Sequence, residues 1–256
     1  MMAQVPTLTS FSPASGPVGT SVIITGTNFS TTPASNIVFF GATKATVTAA
    51  TTTQLTVTVP VGATYQPITV LTNSLLAYSS KPFVVTFNGV PGIDANSFAA
   101  KVDFTTGTTP YGIAIGDLDG DGKPDLAVTN NNGNTISVFK NTSSTGSITA
   151  SAFATKVDFT TGAGTTPYDI AIGDLDGDGK LDLAVTSYGS NTVSVFKNTS
   201  SIGLITTSSF APKVDFTTGS SPYGVAIGDL DGDGKPDLAV ASYNDNTCLL
   251  YTSPSP

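Results

Sequence analysis

Four aspartates fall within nine residues, and the arrangement occurs three times. They are Asp117, Asp119, Asp121 and Asp125 in GDLDGDGKPDLAV, then Asp174, Asp176, Asp178 and Asp182 in GDLDGDGKLDLAV, then Asp229, Asp231, Asp233 and Asp237 in a further GDLDGDGKPDLAV. With the first aspartate as position one, carboxylates stand at one, three, five and nine. Alternate spacing turns the first three side chains toward one point, and Gly120 and Gly122 allow the backbone to curl around it. Lys123, Lys180 and Lys235 at position seven point their side chains away and offer backbone carbonyls. The set is a cage of hard oxygens. It suits Ca²⁺, which takes six to eight such ligands at about 2.3–2.6 Å, better than Mg²⁺, which demands a tight octahedron and keeps its waters.

Electrostatics leads to the same expectation. Two carboxylates about 4 Å apart repel by roughly 4 kcal/mol at an effective dielectric near 20. Several such pairs make an empty loop unfavourable, and a divalent ion reverses the sign. The spacing therefore predicts Ca²⁺ at about three sites, in a structural role. An EF-hand begins with the same DxDxDG, but its bidentate glutamate at position twelve is replaced here by Val128, Val185 and Val240.

Composition removes other chemistry. Histidine, glutamate and arginine are absent, so neither a Ser-His-Asp arrangement nor the usual zinc ligand sets can be assembled. The single cysteine, Cys248, excludes an internal disulfide framework. No catalytic residues and no enzymatic activity are expected. All eighteen acids are aspartates, twelve of them in the three loops, so the net charge of −8 is concentrated there. Nucleic acid is excluded as a partner, because phosphate binding needs clustered lysine or arginine. No apolar run is long enough for a transmembrane segment, and MMAQVPTLTSF lacks the basic and apolar regions of an export signal.

The elements that position the loops follow from patterning. The chain is rich in Thr, Ser, Gly, Val and Asn, which favours strands and turns. Residues 5–87 alternate apolar and polar positions, as in SVIITGTNF, NIVFFG, TQLTVTVP and PITVLTN, and predict a small antiparallel sandwich. Their opening, PTLTSFSPASGPVGTSVIITGTNF, resembles the start of IPT/TIG domains. That resemblance implies an immunoglobulin-like fold and the role of a spacer or a protein- or glycan-binding unit. Residues 88–97 read as a linker.

Residues 98–247 hold three units starting near 98, 153 and 210: FAAKVDFTTG, FATKVDFTTG and FAPKVDFTTG, each followed by Pro-Tyr, a metal loop and DLAV. Four short strands per unit are expected, around KVDF, YGIAIGD, DLAVT and TISVFKN. The units resemble FG-GAP/VCBS repeats, found in the propeller of integrin α-subunits and in many secreted bacterial proteins. The resemblance implies propeller blades, and aspartate at position nine matches that family's calcium loop. The expected fold class is thus all-β: an immunoglobulin-like sandwich followed by an incomplete propeller of about three four-stranded blades, the third truncated.

Smaller recurrences carry modest expectations. Asp103, Asp158 and Asp215 in KVDF read as surface or turn carboxylates, and Tyr111, Tyr168 and Tyr223 as packing between blades. Asn28, Asn141 and Asn198 fit N-x-[ST], which matters only in a glycosylating host. Unit three departs from the others after Thr247, and CLLYTSPSP (248–256) resembles a translated sequencing adaptor, a non-native tail on a fragment of a longer propeller. Together these features lead to the expectation of a secreted or surface-attached, non-catalytic calcium-binding protein, bacterial in type, acting in adhesion or recognition. Its partner would be an extracellular protein or a glycan. A calcium-dependent glycan-binding propeller, or the accessory region of a polysaccharide-degrading enzyme, is the alternative.

Overall fold

The computed structural model describes residues 5–87, 97–144 and 146–253; the linker, apart from Ser97, and the last three residues of the tail lie outside them. Apart from one 3-10 turn at Pro33–Ser35, the regular elements among the described residues are strands. Nine form the N-terminal module: β1 (Thr7–Ser12), β2 (Ser15–Gly16), β3 (Ser21–Thr27), β4 (Asn36–Phe40), β5 (Thr43–Ala50), β6 (Gln54–Thr58), β7 (Pro67–Thr72), β8 (Leu75–Pro82) and β9 (Val84–Val85). Seven of them run in the order β1-β3-β6-β5-β4-β7-β8, and β2 pairs with β9 in parallel.

Strand β5 turns the corner between two layers. Thr43, Lys44 and Ala45 pair with β4, whereas Thr46 to Ala50 pair with β6 across a register shift after Val47. A bulge bends a strand and sharpens its twist, which lets one strand serve two sheets. The alternation in β3 then resolves as expected: Val22 and Ile24 are buried while Ile23 is exposed. They join Phe40, Leu55, Val57, Ile68, Val70 and Phe83 in one core. Phe40 and Phe83 meet edge to face at 5.3 Å.

The repeats build three antiparallel sheets. The first is β10 (Pro110–Gly116), β11 (Asp125–Asn130), β12 (Thr135–Phe139) and β13 (Val157–Thr160). The second is β14 (Pro167–Gly173), β15 (Asp182–Ser187), β16 (Thr192–Phe196) and β17 (Val214–Thr217). The third has only β18 (Pro222–Gly228), β19 (Asp237–Ser242) and β20 (Thr247–Tyr251). Within the tail, Tyr251 pairs with Leu238 in the register that Phe139 and Phe196 take against Leu126 and Leu183.

The sheet boundary falls inside the sequence unit. VDFT of the second and third units is the outermost strand of the sheet before it: β13 comes from unit two and β17 from unit three. The corresponding residues of unit one, around Val102, follow the N-terminal module instead of a blade and form no strand. This phase also revises the reading of the KVDF aspartates. Asp158 lies opposite Ser137 and accepts its hydroxyl at 2.6 Å, and Asp215 does the same for Ser194 at 2.6 Å, each also paired with the lysine two residues earlier. They fasten the outer strand to the blade. Asp103 pairs with Lys101 on the surface.

Successive blades are joined through apolar side chains and bridging polar groups. Leu118, Ile136, Val138 and Phe159 of the first pack with Ile170, Leu183, Val185 and Phe196 of the second. Thr129 donates its hydroxyl to Tyr168 O at 2.7 Å, and Thr186 donates to Tyr223 O at 3.2 Å. Tyr111, Tyr168 and Tyr223 stack with ring centroids 4.3 and 4.2 Å apart, which places one tyrosine of each blade against the next. The N-terminal module reaches the same core: Phe39, whose side chain faces away from that of Phe40, packs among these blade residues with Ile37 and Ala42.

Because Phe40 is fully buried in the N-terminal core, Phe40→Ala should cost about 3–5 kcal/mol. A lowered midpoint in urea unfolding of the N-terminal module checks this.

Candidate metal centre

Each loop is the hairpin that joins the first two strands of a blade, so the ladder fixes both of its ends. Gly116 pairs with Asp125, Gly173 with Asp182, and Gly228 with Asp237. Position nine is therefore the first residue of a strand, and position one follows directly on the strand before it. The curl between them needs left-handed backbone at both internal glycines, with φ of 71° and 87° at Gly120 and Gly122. A side chain there would be strained.

Position one closes the curl. Asp117 Oδ2 accepts the amide of Gly122 at 2.9 Å, Asp174 Oδ2 that of Gly179 at 2.9 Å, and Asp229 Oδ2 that of Gly234 at 3.0 Å. Position nine ties the loop to the strands. Asp125 accepts the amides of Leu118 at 2.9 Å and Asn141 at 2.7 Å, and Asp182 those of Leu175 and Asn198 at the same distances. In the third loop Asp237 accepts from Leu230 at 2.7 Å and from Ser253 at 2.9 Å.

Three of the four aspartates in each loop converge. One carboxylate oxygen each from Asp117, Asp119 and Asp125 lies within 4.8 Å of the others, as do those of Asp174, Asp176 and Asp182, and of Asp229, Asp231 and Asp237. Asp121, Asp178 and Asp233 stand outside this triad, each accepting the amide of the lysine at position seven at 2.9–3.0 Å. The side chains of Lys123 and Lys180 leave the cage, donating to Ser143 O at 2.9 Å and Ser200 O at 2.8 Å.

The donor set fits a hard divalent cation. All three converging groups are carboxylates, and Asp117 Oδ1 is buried without a hydrogen-bond partner. Buried carboxylate oxygens normally find donors, so this orphan oxygen within a triad of like charge suits a cation; in the other loops the equivalent oxygens of Asp174 and Asp229 accept the amides of Gly177 and Gly232. Proton affinities point the same way. Burial, reinforced by neighbouring aspartates, pushes Asp125 and Asp182 up to about 7 and Asp174 up to about 6 from the ordinary value of 3.8.

Two residue types in the site have no signal in the acidic motif. Asn141 and Asn198 are buried, and besides their amides to position nine they donate side-chain nitrogens to Pro124 O and Leu181 O, both at 2.8 Å. Their sequon reading gives way to a structural one, since these amides are already used within the fold. Lys140 and Lys197 reach the loops from beyond β12 and β16. Only the recurrence of FKNTSS in two units marks these residues in advance.

The FG-GAP-like repeat model matches residues 74–128, 117–185 and 174–240, and the IPT/TIG domain model matches 6–87. No curated protein sequence matches the chain. Among solved structures, a structural genomics protein of unknown function from Bacteroides thetaiotaomicron is 17% identical, with 96% of this chain and 60% of that one covered and a TM-score of 0.35. An auxiliary nutrient binding protein from the same organism is 14% identical over 98% of this chain and 59% of its own, with a TM-score of 0.32. Its counterpart from Bacteroides ovatus is 12% identical over 98% and 85%, with a TM-score of 0.31. The chain thus spans about three fifths of the length of the first two.

A pH dependence follows from the raised carboxyls. They bind a proton more tightly in the native protein than in the unfolded chain, so metal-free stability should fall as pH rises from about 4 through 7. A bound divalent cation should remove that decline by holding the carboxylates ionised. Thermal melts across this range, with chelator and with Ca²⁺, check both halves.

Proposed function

This chain belongs to the FG-GAP-like repeat family and carries an IPT/TIG domain ahead of its repeats, and on that premise we propose that it is a secreted or cell-surface calcium-binding protein of adhesion or recognition. The observation that carries the reading is the same all-oxygen triad at the same hairpin of three successive blades. Calcium would be held by Asp117, Asp119 and Asp125 and by their equivalents in the other loops. It supplies charge neutralisation and a fixed loop shape; the chain itself performs no covalent chemistry. The blades present a binding face, and the IPT/TIG domain acts as a spacer.

An exported location suits the loops, because extracellular calcium modules work at dissociation constants of about 10⁻⁴–10⁻³ M. No helix among the described residues is long and apolar enough to cross a membrane. A glycan as the ligand is favoured by one feature: Tyr111 and Tyr243, outer members of a tyrosine row, are 53% and 65% exposed. Glycan-array binding that disappears with chelator is the outcome specific to that version.

The central test is a calcium titration of the melting temperature. At free Ca²⁺ about ten times the dissociation constant each site should add roughly 1.4 kcal/mol by mass action. Replacing Asp119, Asp176 and Asp231 together by Asn should abolish the rise. An unchanged melting temperature in Ca²⁺ and in chelator would contradict the proposal.

A further inference from the structure

Besides the position-seven lysines, whose side chains leave the cage, one lysine reaches each of the first two loops from just past the strand after the hairpin. Lys140 directly follows β12, and its ammonium bonds Asp119 and, at 2.6 Å, Asp121 Oδ2. Lys197 directly follows β16; it bonds Asp176 and lies 3.2 Å from Asp178. In both blades one ammonium bridges positions three and five, and position three is also a member of the converging triad. The first pair is enclosed, with side chains 19% exposed for Lys140 and 0% for Asp119. The lysines therefore engage carboxylates that a divalent ion would need.

We propose that Lys140 and Lys197 are place-holding cations. In the metal-free protein each neutralises part of its loop's charge and keeps the loop curled. A divalent ion binds only by displacing the ammonium, so the lysine sets the affinity of the loop and narrows the stability gap between free and loaded forms. This rests on the cation-binding reading given above. The four-carbon stem lets the ammonium withdraw into solvent while the strand stays in place. The third blade supplies an internal comparison, because Thr252 follows Tyr251 where Lys140 follows Phe139. Loop three has no lysine at that position, and of the three it should fill at the lowest Ca²⁺ concentration.

The test uses the full chain, with Ca²⁺ calorimetry and thermal melts of the parent protein, Lys140→Gln and Lys197→Gln. Lys140→Gln should lower the melting temperature in chelator by about 5 °C, because it leaves a buried carboxylate unpaired. The deficit should vanish in saturating Ca²⁺, and one site should tighten about tenfold. Lys197→Gln, at a more exposed pair, should show the same signs with smaller size. Should Lys140→Gln fail to fold, Lys140→Arg keeps the charge in a fixed fork and should weaken that site. Unchanged or weaker affinity in both Gln variants, or equal thermal losses with and without Ca²⁺, would overturn the proposal. A parent protein that binds no Ca²⁺ refutes the cation reading itself; a parent that binds beside unaltered variants refutes only the place-holder.

Discussion

Mutual repulsion among carboxylates crowded into one hairpin is the constraint on which the repeat structure depends. Three aspartates meet within 4.8 Å at the point where the first two strands of each blade turn. An ordinary surface turn would let such groups splay into water. Here the strand ladder fixes positions one and nine, and backbone amides hold both carboxylates in place. The loop is pre-organised around charge that it cannot disperse, an arrangement that a proton, an ammonium group or a metal cation can relieve. Glycine at two left-handed positions lets the curl form, and burial is what raises the proton affinity of Asp125 and Asp182.

The constraint also links the loops to the rest of the fold. Asn141 and Asn198 fasten the end of the third strand to position nine in the first two blades, and Leu118 O accepts Asn198 Nδ2 at 2.7 Å from the next blade. A change in loop shape therefore acts on the blade interface as well as on the turn. The IPT/TIG domain meets the same end of the blades. Asp117 N donates to Ala42 O at 3.1 Å, while Phe39 enters the blade core. Position one of the first loop is thus the seam between the two kinds of domain.

The acidic motif and the period-two patterning made the fold class and the convergence of aspartates in the hairpin loops legible in the sequence, since both depend on local spacing. The alternation in SVIITGT, for instance, assigns Val22 and Ile24 to the core without reference to distant residues. Features set by pairing across the chain were not legible in this way. That KVDF closes the preceding blade depends on which edge is open, and nothing inside the four letters says so. Lys140 lies 19 and 21 residues from the aspartates it meets. It becomes visible only once β11 and β12 are laid side by side. Asn141 looked like a glycosylation signal because a sequon is read locally, whereas burial of its amide is a tertiary property.

Crystals grown in millimolar Ca²⁺, with anomalous scattering recorded at long wavelength, would locate any ion in the three loops. One anomalous peak is expected in each hairpin loop, about 2.3–2.6 Å from the carboxylate oxygens of positions one, three and nine, with the ammonium groups of Lys140 and Lys197 drawn away from the cage. Loops without a peak, with both lysines still bonded to their aspartates at that calcium concentration, would contradict it.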